Sequence, residues 1–304
     1  MNLQVATQAV LEELSRMRSE GISRVFIQDE TLGILEDLLS PNSSIDKPVP
    51  ENKVSKDRTN IPEPLSLEEP APSKVSSSKD IEIEKKSLPP PPDFELPEGT
   101  KESRWEWLQK KVLDCDTCNE ELNPNGKVVF GEGDLNADLF LCGEAPGAEE
   151  EEVGSPFIGP AGELLMKILS AMGLKREQVY LGNILNWRPK HNQAFGNRPP
   201  KQEELEFCLP YLKAQIEIVQ PKVIVALGKT ATDGLIGRDV KRRLSQVRGT
   251  WKEVSGFPVM VTYHPSYLLH NPSKASKRKV WEDFMLVMEK LKMPVSEKQK
   301  AFFQ

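Results

Sequence analysis

The sequence predicts an α/β domain on a central, mainly parallel sheet, in a three-layer α/β/α arrangement. Three observations carry this. Runs at 139–142, 179–183, 222–228 and 259–264 are mostly apolar, with a β-branched core in the third, and long enough for buried strands. Between them lie segments with apolar residues at helical spacing, such as Leu164, Leu165, Ile168, Leu169 and Met172. Strands alternating with helices give parallel pairing, with helices covering both faces.

The chain has 304 residues, 28% of them charged and 38% apolar, enough for one good core and more. No run of about 18 apolar residues is present, so no membrane span is expected. The N-terminus lacks the basic-then-apolar order of a secretory signal. Four unevenly spaced cysteines do not form a disulfide framework, and a cytoplasmic monomer is the expectation. The net charge of −6 is uneven: residues 1–100 sum to −8 and residues 101–304 to +2. A near-neutral domain with local basic segments is compatible with DNA.

In chain order, residues 1–40 read as a short helical segment (Val5, Val10, Leu11, Leu14, Met17) suited to docking a protein partner. Residues 41–100 hold 12 of the 25 prolines and read as a disordered linker. The globular composition of 101–293 opens with a helix over 102–114 and the pair Cys115 and Cys118. Strands follow at 127–130 and 139–142, then a helix at 160–173 and a strand ending at Asn183. After a polar insert come a helix at 203–219, a strand at 222–228 and a short helix at 229–236. A basic stretch (238–252), strands at 251–254 and 259–264, a helix at 276–292 and a tail over 294–304 complete the chain.

The stretch from Asp138 to Leu165 organises the rest. Its strand breaks at Gly143, Pro146 and Gly147, where the chain turns, and the next loop carries Phe157, an apolar ring expected to be exposed. Glu144, Asn183 and His264 each stand at or just past a predicted strand end. Singly, they read as a capping acid, a turn amide and a structural histidine. Jointly, on neighbouring strands, they would converge on the crevice at the sheet's carboxyl edge, where ligands bind in open α/β sheets.

The segments GEAPG with EEEE, GSPFIG, YLGN and HPSYLL, in that order, resemble the family 4 uracil-DNA glycosylases over about residues 104–292. The resemblance implies hydrolysis of the bond between uracil and deoxyribose in DNA, on a base flipped out of the stack. By its match, Phe157 would stack on the uracil, Asn183 would read its edge, and Glu150 would fill the space of a thymine methyl. Gly143 would border the base, His264 would hydrogen-bond the oxygen at position two, and Glu144 would orient or activate water. The segment with Ser266, Leu268 and Leu269 would enter the minor groove, one leucine acting as a wedge. Beside it, Lys241, Arg243 and Arg248 are phosphate candidates. A non-catalytic DNA- or nucleotide-binding module, or a glycosylase with a wider range of deaminated bases, are the alternatives.

Two departures from the family stand out. Most members carry a [4Fe-4S] cluster on four cysteines; Cys115, Cys118 and Cys208 match three of them. Where the family reads Lys-Cys-Arg-Pro, this chain reads Asn186-Trp187-Arg188-Pro189. Either a labile cluster rests on three thiolates and an outside ligand, or the cluster is absent and Trp187 packs that corner. Gly182 replaces a usual threonine, which would loosen the base pocket.

Overall fold

The computed structural model describes residues 87–190 and 197–304; the helical reading of 1–40 and most of the linker reading lie outside them. The described chain runs α1 (Lys101–Leu113), α2 (Asp116–Glu120), β1 (Glu132–Gly133), β2 (Leu139–Gly143), α3 (Ala148–Val153), α4 (Pro160–Met172), a 3-10 turn (Arg176–Gln178) and β3 (Tyr180–Asn183). It continues with α5 (Gln202–Val219), β4 (Val223–Leu227), α6 (Gly228–Ile236), α7 (Leu244–Val247), β5 (Trp251–Val254) and β6 (Phe257–Thr262). Helices α8 (Pro265–His270), α9 (Lys274–Lys290) and α10 (Glu297–Lys300) close it.

The strands form one sheet in the order β1-β3-β2-β4-β6-β5. The inner four are parallel and the two edge strands antiparallel. Because strand side chains alternate between faces, one face of the sheet presents Phe140, Cys142, Tyr180, Ile224, Ala226 and Val259. These pack with Leu108 and Val112 of α1 and with α5 residues from Phe207 to Val219. The other face presents Leu139, Leu141, Leu181, Val223, Val225 and Met260 to Leu165 and Leu169 of α4 and to Val280, Phe284 and Val287 of α9. Strands buried on both sides flanked by two helical layers are the expected α/β/α architecture.

Local chemistry sets the helix ends. The Thr100 hydroxyl accepts from the Ser103 N–H at 3.3 Å and caps α1. Pro160 opens α4, where its missing N–H costs nothing, and Gly173 closes it at φ +85°.

Three boundaries differ from the sequence reading. Residues 127–130 are not a strand: Lys127 N–H donates to the Glu151 carbonyl and Val129 N–H to that of Asn186, both at 2.8 Å. Those bonds run to α3 and to the turn after β3, so no ladder forms. Residues 87–100, read as linker, lie against the domain instead, with Leu88, Phe94 and Leu96 packed on the core. The Phe94 ring stacks on Tyr211 at 5.6 Å. The tail from 294 is also tied down, since Gln299 Nε2 donates to the Ala171 carbonyl and Trp281 Nε1 to that of Gln299, both at 2.7 Å.

Candidate active site

The sheet register brings the strand ends together. Gly143 pairs with Asn183 across β2 and β3, and Leu227 pairs with Thr262 across β4 and β6, two residues before His264. Gly143 lies where these strand ends meet. A Cβ built there would lie 2.3 Å from Asn183 Oδ1 and 2.7 Å from Phe157 Cζ. Any side chain at 143 would displace the amide or the ring, so glycine is what lets both approach.

Phe157 is only 6% exposed, contrary to the expectation of an exposed ring. Its loop folds back under α3 and α4: the Glu150 carboxylate accepts from the Ile158 N–H at 3.0 Å and the Gly159 N–H at 2.9 Å. The ring faces the imidazole of His264, with centroids 6.2 Å apart and planes 30° from parallel. Glu150 is itself buried and serves here as the anchor of the ring-bearing loop.

Asn183 is 7% exposed at the end of β3, and among the described residues its carboxamide has no hydrogen-bond partner. A nearly buried amide with its donors and acceptor unspent is poised to meet a ligand. Glu144, directly after β2, is partly buried; desolvation pushes its carboxyl above the usual range, against a hydrogen bond from Thr230 that works the other way.

His264 caps α8 through Nδ1, which accepts from the Ser266 N–H at 3.3 Å and lies 2.8 Å from the Ser266 hydroxyl. With Nδ1 an acceptor, the ring proton sits on Nε2, which is left to donate. Loss of hydration lowers its pKa to about 4, outweighing the nearby negative charge of Glu150, so the imidazole is neutral at physiological pH.

Several sequence assignments move. Leu268 is 5% exposed and belongs to the core, whereas Leu269 is 44% exposed. Ser266, read as a DNA contact, buttresses His264. Arg248 is not a free phosphate ligand: its guanidinium forms a fork with the buried Asp283 and also meets the Lys279 carbonyl, while Thr262 Oγ1 donates to the same carboxylate at 2.6 Å. Lys241 and Arg243 are exposed, as a phosphate-contacting role requires. A Cβ on Gly182 would meet Phe140 at 3.3 Å and Gln215, on the face opposite Asn183, so its absence does not loosen the base pocket.

At the cysteine corner, Cys115, Cys118 and Cys208 are free thiols. Cys118 interacts with both of the others, and the Tyr211 hydroxyl reaches Cys115. A hydrogen bond to Cys118 and burial push the Cys115 thiol up. Trp187 is fully buried, 6.0 Å from the Phe207 ring, with its Nε1 unpartnered. An indole N–H is a donor only and cannot ligate iron. Among the described residues no group of three or more His, Cys, Asp or Glu stands ready to hold a metal ion. The donor set therefore does not fit a four-thiolate cluster. Cys142 is buried in the core. No described helix is long and apolar enough to cross a membrane.

Sequence reasoning missed Thr230, which reaches Glu144 from the first turn of α6; Arg176, which reaches the Phe157 loop; and the stacked pair Tyr263 and Tyr267, 4.1 Å apart, flanking His264. Only Tyr263 and Tyr267 carried a signal, as two rings four apart around the strand end.

Comparison with known proteins adds an independent finding. Residues 130–285 match the family model described as the Uracil DNA glycosylase superfamily. A type-4 uracil-DNA glycosylase of Thermotoga maritima is 42% identical over 188 residues, 60% of this chain and 93% of that protein. One from Pyrobaculum aerophilum is 38% identical over 174 residues, 55% of this chain and 85% of its own length. A type-5 uracil-DNA glycosylase of the same organism is 28% identical over 164 residues, 49% of this chain and 70% of that protein.

Proposed function

The chain belongs to the uracil-DNA glycosylase superfamily, and on that premise we propose that it hydrolyses the N-glycosidic bond between uracil and deoxyribose in DNA, the first step of base excision repair. What supports this reading is the juxtaposition at Gly143, where an unspent amide and a buried ring approach, the ring facing a neutral imidazole, with an acid as the next residue. The flipped uracil lies against Phe157, and the Asn183 carboxamide pairs with a carbonyl and the ring N–H of its edge. Cytosine, with donor and acceptor exchanged, leaves that amide mismatched in a dry site, a strong basis for rejection. Glu150, besides anchoring the loop, borders the face where a thymine methyl would project.

As the bond breaks, its electron pair leaves with uracil and the sugar becomes oxocarbenium-like. His264 donates its Nε2–H to the anionic oxygen at position two, stabilising charge as it develops. The Glu144 carboxylate favours the cationic sugar and orients a water whose oxygen bonds to C1′, its proton passing to the carboxylate. No covalent enzyme intermediate is required.

Lys241 and Arg243 bind backbone phosphates, and Leu269 is the minor-groove wedge. Leu269→Ala is expected to lower kcat/KM on duplex uracil by about tenfold, with single-stranded uracil cleaved within about twofold of normal, since only the duplex must be unstacked. Equal losses on both substrates would remove the wedge role.

The enzyme works without an iron–sulfur cluster, its cysteine corner held by Trp187, Phe207 and Tyr211. Protein purified anaerobically is expected to contain less than about 0.2 iron per chain and to lack the visible absorbance of a cluster, whereas Trp187→Cys completes a four-thiolate set and gains both on reconstitution. Near four irons in the unaltered protein would overturn this.

The function itself is tested by incubating the full chain with single-stranded and duplex oligonucleotides bearing one uracil, hypoxanthine or mismatched thymine, followed by alkaline cleavage of abasic sites. Release of uracil alone supports the reading. Release of hypoxanthine as well widens the base range, and no release from any substrate leaves a binding module.

A further inference from the structure

We propose that Arg176 is a positioning residue for the pocket, holding the ring-bearing loop by its carbonyls while Glu150 holds it by its N–H groups. The inference rests on Phe157 being the surface that receives the base. Phe157 sits at φ +55°, a left-handed conformation that a residue with a side chain adopts only at an energetic cost. Something must compensate for that cost, and two groups on opposite sides of the loop do so.

Arg176, in the 3-10 turn before β3, donates from Nη1 to the Phe157 carbonyl at 3.0 Å and from Nη2 to the Pro156 carbonyl at 2.5 Å. Its planar fork suits two consecutive carbonyls, which a lysine ammonium could not span in the same geometry. The guanidinium is fixed in turn by an ion pair with Glu132, whose Oε1 also accepts from the Ser155 hydroxyl at 2.9 Å. On the other side, Glu150 accepts from the next two N–H groups, of Ile158 and Gly159. Four consecutive residues thus each have one polar backbone group held by one of two side chains of opposite charge. Behind them α4 leaves no slack, for a Cβ on Gly162 would come within 2.1 Å of the Phe157 carbonyl carbon.

The anchor also sets register with the base-reading amide. Glu132 pairs with Leu181 across β1 and β3, two residues before Asn183 on the same strand. Arg176 therefore fixes the ring relative to the strand that delivers Asn183. Freed from the guanidinium, Phe157 loses two of the contacts that compensate its strained backbone, and the ring drifts from Gly143.

The test combines hydrogen exchange with kinetics on the full chain, using Arg176→Met, Arg176→Lys, Phe157→Ala and the double variant Arg176→Met/Phe157→Ala. Amide exchange across 155–160 is expected to accelerate by about tenfold or more in Arg176→Met with the strands still protected. On duplex DNA with one uracil, kcat should fall by about 10²-fold, the scale of a misplacement near 1 Å. In the Phe157→Ala background the same change should cost less than about twofold, because the residue acts through the ring. Arg176→Lys should fall between, and supplies the same comparisons should the methionine variant not fold. Unchanged exchange across 155–160, or losses that multiply with Phe157→Ala, would overturn the proposal. If the unaltered chain releases no uracil, the functional reading fails, and the exchange data alone still decide whether Arg176 holds the loop.

Discussion

Glutamine in place of Glu144 is expected to lower the rate of uracil release by about 10²- to 10⁴-fold while raising the melting temperature at neutral pH. The two effects share one cause. Burial disfavours the charged carboxylate and holds its pKa above the usual 4.5, in spite of the Thr230 hydrogen bond. A carboxyl that binds its proton more tightly when folded weakens the fold as pH rises, from the unfolded value upward through the folded one. Above that window the unaltered enzyme carries the cost of a desolvated charge, and the isosteric amide does not. Below pH 4.5 both side chains are neutral and the melting temperatures should converge. Activity runs the opposite way: the carboxylate is the working form, so the rate should decline as pH falls through a value above 4.5. Single-turnover rates, with thermal melts at pH 4 and pH 7, check both halves. A variant that keeps its rate removes Glu144 from the chemistry; one that loses its rate without gaining stability removes the desolvation argument.

How far the sequence could be read follows from where its information is local. The inner strands are buried on both faces, so their apolar runs announced them, and the register that joins Gly143 to Asn183 follows from parallel neighbours. Gly182 was misread as bordering the base pocket, although next to Asn183 on a strand it must face the other way. Other features depend on partners distant in the chain. Phe157 looked exposed because loops usually are, yet it is drawn in by Glu150, eight residues before Ile158, and by Arg176, 19 residues after it. Arg248 sat in a basic run and read as a phosphate contact until Asp283, 35 residues on, claimed it. A buried carboxylate such as Asp283 needs its cation, since losing one partner of a buried pair costs about 3–5 kcal/mol. Leu268 and Leu269 differ by one position, and only the seating of α8 on the core decides which is buried.

Removing the imidazole by His264→Ala is expected to lower kcat by about 10²- to 10³-fold, the scale of losing one donor to a developing anion. DNA affinity should change by less than about threefold, because the phosphate contacts do not involve the ring and Leu268 keeps α8, with its wedge, seated on the core when the cap is lost. The geometry makes a sharper claim about protonation. Ser266 engages Nδ1, so Nε2 carries the single proton, and desolvation keeps the ring from gaining a second one until about pH 4. A histidine working as a cation would switch off as pH rises through its ordinary 6.5; this one donates as a neutral ring on both sides of that value. The pH–rate profile of the unaltered enzyme should therefore show no step between pH 6 and 8, and the acid limb that it does show should disappear in Glu144→Gln rather than in His264→Ala. Ser266→Ala, which removes the hydroxyl and leaves Nδ1 held only by the longer bond from the backbone N–H, should cost up to about tenfold with the profile's shape retained. A limb near 6.5 that vanishes with His264 would mean that the charged imidazole is the active form, and the neutral-donor mechanism would fall.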